Sequence, residues 1–116
     1  MEKTINVDGK ECKFKSTAAI PRMYRMKFGR DIFVDLGKLE KKIKNKDEPF
    51  AIDSLEIFED IAYIMHKHGD PSQPDNIDTW LDQFETFDIY KVLPEIISLW
   101  KINNDGMSTA KKKAGA

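Results

Sequence analysis

Residues 53–67, DSLEIFEDIAYIMHK, carry the strongest structural signal in this chain of 116 residues. On a helix, the apolar side chains of this segment cover most of the circumference, and Glu56, Glu59 and Asp60 form only a narrow polar strip. A helix that is apolar nearly all round is usually buried. We therefore expect this helix to lie at the centre of the fold, with the other elements packed around it.

Ahead of the central helix, two alternating runs predict a β-hairpin over residues 3–16. Asp8-Gly9 separates the runs and favours a type I′ turn, because both central positions of that turn need a positive φ. An isolated hairpin is marginally stable in water, so one of its faces is expected to pack on the helices. The side chains predicted for that face are Ile5, Val7, Cys12 and Phe14.

Capping residues predict where the first helices begin and end. Ser16 or Thr17 can cap a first helix, which carries Pro21 in its first turn and ends at Gly29. A second helix follows directly and runs to about residue 46. Its expected cap is Asp31.

The later helices follow a loop over residues 45–52. Asp53 or Ser54 is expected to cap the central helix, and Gly69 to end it. Asn76 or Asp78 then begins a short helix. A last helix spans residues 88–101 and contains Pro94, which costs a backbone hydrogen bond and is expected to kink the helix or break its start.

The predicted fold is α+β and mostly α-helical, with an N-terminal β-hairpin followed by about five helices. We expect one domain over residues 1–101, formed by the hairpin 3–16 and a helical bundle 17–101. Residues 102–116 are small, polar and basic, which predicts a disordered, flexible tail.

Charge is distributed unevenly along the chain, although the net charge is −1. Residues 1–46 hold 13 basic and 6 acidic side chains, whereas residues 47–101 hold 3 basic and 13 acidic ones. The overall balance lacks the positive excess typical of DNA-binding proteins, so no nucleic-acid partner is expected. No apolar run approaches the ~18 residues of a membrane span, and the first ten residues lack the apolar core of a signal peptide. A cytosolic location without a membrane partner is therefore expected.

The reactive side chains form no pattern typical of an enzyme. His66 and His68 lie two residues apart and do not share a helix face, so a solvated helix end is favoured over a metal site. Cys12 has no neighbouring base, and a small strand residue is the favoured interpretation. The lysine-rich segment 41–46 lacks aromatic platforms for nucleic acid and is expected to be an exposed helix face. We predict no catalytic residue, no metal site and no cofactor.

Two features remain open to more than one interpretation. Acidic side chains at three- to four-residue spacing favour a solvated helix surface over acid–base chemistry: Asp75, Asp78, Asp82, Glu85 and Asp88. Trp100 is expected in the core. Trp80 fits either the core or the anchor of a protein–protein contact, because tryptophan is enriched in binding hot spots.

Residues 19–33, AIPRMYRMKFGRDIF, resemble the P-x-x-Y/F-x-x-x-F-G-R-D stretch of tail assembly chaperones from long-tailed bacteriophages and prophages of Gram-positive bacteria. The hairpin before it, the helix 55–65, the run WLDQF at 80–84 and the ending at 96–100 are similar too. The resemblance covers residues 3–101.

The resemblance implies a virion-assembly factor with protein partners and no catalytic role. Such a chaperone binds the tape measure protein, keeps it soluble and helps recruit tail tube protein in the host cytoplasm, and it is absent from the mature virion. A frameshifted longer form of the chain is also implied, with the lysines at 111–113 in the expected place.

The position of the motif suggests which residues contact the partner. The expected contact residues are Arg22, Tyr24, Arg25 and Phe28, with Trp80 as a further candidate. For Tyr24 and Phe28, packing in the core is the alternative. Two other functions stay open: a structural tail or connector component of a phage or prophage, and a small DNA-binding regulator that uses the basic residues 22–46.

Overall fold

A computed structural model of the chain describes residues 1–44, 52–92 and 94–99. It confirms the predicted α+β, mostly helical fold with an N-terminal antiparallel hairpin. The elements in chain order are β1 Glu2–Val7, β2 Lys10–Lys15, α1 Ile20–Phe28, α2 Ile32–Lys44, α3 Ile52–Gly69, α4 Ile77–Asp82, a 3₁₀ helix Phe87–Val92 and a final helix, α5, over residues 94–99.

The hairpin closes through the predicted turn. Asp8 and Gly9 have φ values of 57° and 81°, as a type I′ turn requires. In the register that follows, Ile5 pairs directly with Cys12, and all four predicted apolar side chains of this face are buried. Asp8 also ties the turn to the C-terminal half, because its carboxylate accepts the backbone N–H of Glu85 across 2.7 Å.

The first helix, α1, begins later than predicted. Its N-cap is Ala19 and not Ser16 or Thr17, because the Thr17 hydroxyl accepts the N–H of Ala19 in a turn that precedes the helix. Pro21 occupies the first turn as predicted. The helix ends where Gly29 adopts a left-handed φ of 69° and donates its N–H to the carbonyl of Arg25.

Asp31 begins the second helix, α2, as predicted. Its Oδ1 accepts the backbone N–H of Phe33 across 2.8 Å. Ile32, Leu36 and Leu39 are buried along one face of α2. The predicted end of this helix near residue 46 and the loop after it lie outside the described residues.

The central helix, α3, packs against β2, α1, α2 and α4, which confirms its position at the middle of the fold. It begins at Ile52, so neither Asp53 nor Ser54 is its cap: both lie inside the helix, whereas a capping residue has a non-helical backbone. The helix ends at Gly69. Its buried apolar side chains are Ile57, Phe58, Ile61, Ala62, Tyr63, Ile64 and Met65.

The C-terminal part is divided by its proline. Asn76 caps α4, with its Oδ1 accepting the N–H groups of Asp78 and Thr79. Where one last helix was predicted, a 3₁₀ helix ends at Val92 and an α-helix covers residues 94–99, with Pro94 in its first turn, where the missing N–H costs no helical hydrogen bond. The predicted core position of Trp100 and the predicted tail 102–116 lie outside the described residues.

Candidate protein-binding surface

A buried polar cluster fixes the resembling segment to the rest of the fold. Arg30 donates through Nε to Asp35 Oδ2 at 2.9 Å and through Nη2 to Asp60 Oδ2 at 2.5 Å. Tyr24 accepts a hydrogen bond from Arg30 Nη2 at 2.8 Å and donates one to Asp35 Oδ2 at 2.6 Å. These four residues join α1, the turn after it, α2 and α3 in one clamp.

Opposite charges stabilise the clamp in addition to its hydrogen bonds. The side chains of Asp35 and Asp60 are 5% and 6% exposed, and that of Arg30 is 35% exposed. Burial raises the pKa of Asp60, and the neighbouring Arg30 opposes that rise. Burial also raises the pKa of Tyr24, and its hydrogen bond to Asp35 adds to the effect. Burial lowers the pKa of Arg30, but its three hydrogen bonds outweigh that and raise it.

Most residues of the matching motif therefore have structural roles. Phe28 packs on Tyr24 with ring centroids 5.1 Å apart, and the Arg30 guanidinium lies 5.6 Å from the Phe28 ring. Gly29 ends α1 and Asp31 begins α2. Asp60 belongs to the same cluster although it is 30 residues from Arg30 in sequence. The sequence predicted only that Asp60 lies on a polar strip of the central helix, and the packing of the helices shows that its partner is Arg30.

The predicted contact residues divide into two groups. Arg22 and Arg25 are exposed on α1, and within the described residues neither forms an ion pair. Phe28 is half-buried. Tyr24 and Trp80 are 0% exposed and pack in the core, so neither side chain can contact a partner in the folded chain.

The exposed side of α1 carries an apolar residue between its cations. Met26 is 70% exposed and lies one turn after Arg22. Beside it runs a shallow groove of about 360 Å³ between α1 and α3, lined by Met23, Met26, Tyr63 and Ile64 together with the charged residues Lys27, Lys67 and Asp75. We call Arg22, Met23, Arg25 and Met26 the α1 surface. It combines flexible apolar side chains with positive charge, which suits the weak binding of amphipathic polypeptide segments.

The two histidines lie in different environments. His66 is buried, contrary to the expected solvated helix end, and its Nδ1 accepts the indole N–H of Trp80 at 2.8 Å. His68 lies 2.8 Å from the hydroxyl of Thr17 through Nε2. Within residues 1–44, 52–92 and 94–99, no group of three or more metal-ligating side chains comes together.

The remaining candidates have ordinary environments. Cys12 is a buried free thiol whose pKa is raised by burial, consistent with its predicted role as a small strand residue. Of the five acidic residues expected on one solvated helix surface, Asp75, Asp78, Asp82 and Glu85 are exposed and Asp88 is half-buried. Only Asp78 and Asp82 lie on α4, so the five do not share one helix. Among the described helices, none is both long and apolar enough to cross a membrane.

Comparisons with protein-family models, with curated proteins and with solved structures find no match to this chain.

Proposed function

We propose that this protein is a tail assembly chaperone of a long-tailed phage or prophage. In this role it binds the tape measure protein, keeps it soluble and helps recruit tail tube protein in the host cytoplasm, without entering the mature virion. A longer frameshifted form of the chain is part of the same proposal.

The observation that carries the proposal is the α1 surface, which lies within the resembling segment. A tape measure protein is long, helical and apolar, so its chaperone must accept many similar helical segments. Met26 and the groove next to it offer apolar contact without a deep, shape-specific pocket. Arg22 and Arg25 add exposed positive charge on the same helix, outside the lining of the groove, where acidic residues of an amphipathic helix would meet them.

The clamp supports this arrangement because it holds α1 rigidly against α2 and α3. Tyr24 anchors the inner side of α1 to Asp35 and Arg30. The outer side is left free to contact a partner. A surface on a rigid helix loses little conformational entropy on binding.

The experiment is co-expression with the tape measure protein encoded in the same phage or prophage genome. The wild-type chain is expected to raise the soluble yield of that protein and to co-purify with it. Met26→Asp should abolish both effects because it places a charge in the apolar groove. Val34→Asp is the matched control, since Val34 is 54% exposed on α2 and does not line the groove.

Two outcomes would contradict the proposal. One is an unchanged soluble yield of the tape measure protein without co-purification. The other is recovery of the chain in purified particles by mass spectrometry, which would favour a structural tail or connector component.

A further inference from the structure

A surface with unpaired negative charge and an exposed aromatic ring lies at α4 and the 3₁₀ helix. Asp78, Asp82 and Glu85 are exposed there, and within the described residues none of them forms an ion pair. Phe87 is 85% exposed, the largest exposed fraction among the large hydrophobic side chains described. We call these four residues the acidic surface. They line a groove of about 310 Å³ together with further apolar side chains of the same two helices.

Cations on neighbouring parts of the fold leave this surface unneutralised. Lys91 pairs with Asp88 at 3.0 Å, and Lys10 donates to the backbone carbonyl of Gln83 at 2.8 Å. Both ammonium groups therefore have other acceptors. Within the described part of the chain, the three carboxylates of the acidic surface are left without a cationic partner.

Residues 107–113, MSTAKKK, complement the acidic surface in charge and in chemistry. The three consecutive lysines at 111–113 match its three carboxylates in number, and Asp105 is the only acidic side chain in the sequence 102–116. Met107 precedes the lysines, and methionine sulfur makes favourable contacts with aromatic rings such as that of Phe87. One short segment thus carries both kinds of group that the surface leaves without a partner.

The chain after α5 is long enough to bring these lysines to the surface. At rises of about 2 Å per residue in the 3₁₀ helix and about 1.5 Å in α5, Leu99 lies no more than about 25 Å from Phe87. The chain from residue 99 to residue 111 spans up to about 40 Å when extended. The lysines can therefore reach the carboxylates of their own chain.

Attachment to the same chain compensates for the weakness of each contact. Exposed ion pairs are individually weak, and a free peptide of this sequence would need a high concentration to occupy the surface. A short connection within one chain instead supplies an effective concentration of about a millimolar.

We propose that residues 107–113 dock on the acidic surface of their own chain, with Met107 on the Phe87 ring and the three lysines facing the three carboxylates. The docked segment covers the exposed ring and neutralises the surface, so a basic partner can bind there only by displacing it. The inference needs only this chain, so it can fail or hold independently of the proposed function.

Carbodiimide cross-linking of the purified full chain tests the proposal, because it joins an ammonium group to a carboxylate as an amide only where the two are in contact. Mass spectrometry of the monomer fraction should identify bonds between the lysines at 111–113 and the acidic surface. Their yield should be highest at about 50 mM salt and at least about tenfold lower at about 500 mM salt, since exposed charges are screened.

A charge swap is the decisive arm. The triple change of Lys111, Lys112 and Lys113 to Glu, and separately that of Asp78, Asp82 and Glu85 to Lys, should each abolish the bonds. The chain that carries both triple changes has the two charges exchanged, so it should regain bonds between the same two segments.

An apolar substitution tests the aromatic contact while all the cross-linking groups stay in place. Phe87→Ser should lower the yield at least about threefold, because the contact with Met107 is lost. Val34→Ser is the matched control, since Val34 is 54% exposed on α2 outside the acidic surface, and its yield should equal that of the wild type. Circular dichroism melting shows that each variant is folded before it is scored.

An equimolar mixture of unlabelled and heavy-isotope-labelled chain shows which molecule supplies the tail. Docking within one chain gives cross-linked pairs of a single isotope. Pairs of mixed isotope, which would mean that the segment bridges two copies, overturn the inference. So does a wild type without tail-to-surface bonds at low salt, a charge-swapped chain that fails to regain them, or equal yields for Phe87→Ser and Val34→Ser.

Discussion

Trp80 donates its indole N–H to Nδ1 of His66 across 2.8 Å inside the core. Phe14 packs on the same imidazole with ring centroids 5.2 Å apart, and Tyr63 and Phe84 meet the indole edge-on at 5.5 Å and 5.4 Å. A nitrogen that accepts a hydrogen bond carries no proton, so this imidazole is neutral with its hydrogen on Nε2. The contact joins the end of α3 to α4 and to the hairpin.

Acid should therefore destabilise the fold through His66. Burial lowers the pKa of His66 below its ordinary 6.5, against a smaller opposing effect of Asp70. The unfolded chain binds this proton more readily than the folded chain does, so the stabilisation present above about pH 6.5 is lost as the pH falls below it. We expect the melting temperature of the wild type to fall between about pH 7.5 and pH 5.

His66→Gln tests this assignment, because glutamine can accept the indole N–H but does not titrate. Its melting temperature should vary less over that range than the wild type's. Asp70, whose pKa is lowered to about 2 by hydrogen bonds from Ser72 and Gln73, stays ionised throughout. His68→Gln is the control and should keep most of the decline, since His68 is only half-buried. An equal decline in His66→Gln would exclude His66 as the titrating group.

Removal of Arg30 should be the most damaging single change in the clamp. Arg30→Ala leaves the buried carboxylates of Asp35 and Asp60 without their cation, and we expect a loss of about 3 kcal/mol in the free energy of unfolding. This is at the low end for buried pairs because a third of the Arg30 side chain is exposed. Tyr24→Phe removes one hydrogen-bonding hydroxyl and should cost about 1 kcal/mol.

Urea unfolding measures both losses, and the double variant measures their coupling. Because the two side chains share a hydrogen bond, their effects should not add. Arg25→Ala removes an exposed arginine of α1, and its free energy of unfolding should stay within about 0.5 kcal/mol of the wild type's. Additive effects, or equal losses for Arg25 and Arg30, would contradict the clamp.

Two helical glycines should respond in opposite directions to alanine. At Gly69, a Cβ atom would overlap the backbone carbonyl of Lys13, so the end of α3 can approach β2 only without a side chain. At Gly37, inside α2, a Cβ atom would meet nothing within 4 Å. Gly69→Ala should lower stability, and Gly37→Ala should raise it by up to about 1 kcal/mol, because glycine is a poor helix former.

Thermal unfolding of the two alanine variants and the wild type gives the comparison directly. The expected order of melting temperatures is Gly37→Ala, wild type, Gly69→Ala. Equal melting temperatures for the two variants would mean that the hairpin does not approach α3 as closely as described.

The elements governed by neighbouring residues were predictable from the sequence. Asp8-Gly9 alone favours the hairpin turn, and Gly29, Asp31 and Asn76 mark helix ends through their own backbone preferences and side-chain oxygens. The cap of α1 was misplaced because Thr17 satisfies a neighbouring N–H outside the helix, which its residue type does not reveal. Likewise, the start of α3 precedes the residues that most resemble caps.

The candidate site was predictable only in part, because the burial of its side chains depends on tertiary packing. Arg22, Tyr24 and Arg25 were all expected to contact a partner because of their place in the motif, but only the two arginines are exposed, and Tyr24 is buried. No local pattern in the sequence indicated that Phe87 is exposed and Ile89 is buried, because both are apolar residues two positions apart in one short 3₁₀ helix. Which of two nearby apolar residues faces solvent depends on the packing of the 3₁₀ helix.

By itself, the sequence determined the hairpin, the order of the helices, the central place of α3 and the division of charge between the two halves. Those features follow from periodicity and from residues that act on their immediate neighbours. Tertiary structure alone decided that Asp60 meets Arg30 and that His66 meets Trp80 in the core. It also decided which charges stay unpaired at the surface, because a polar group's partner depends on which distant segments fold against it.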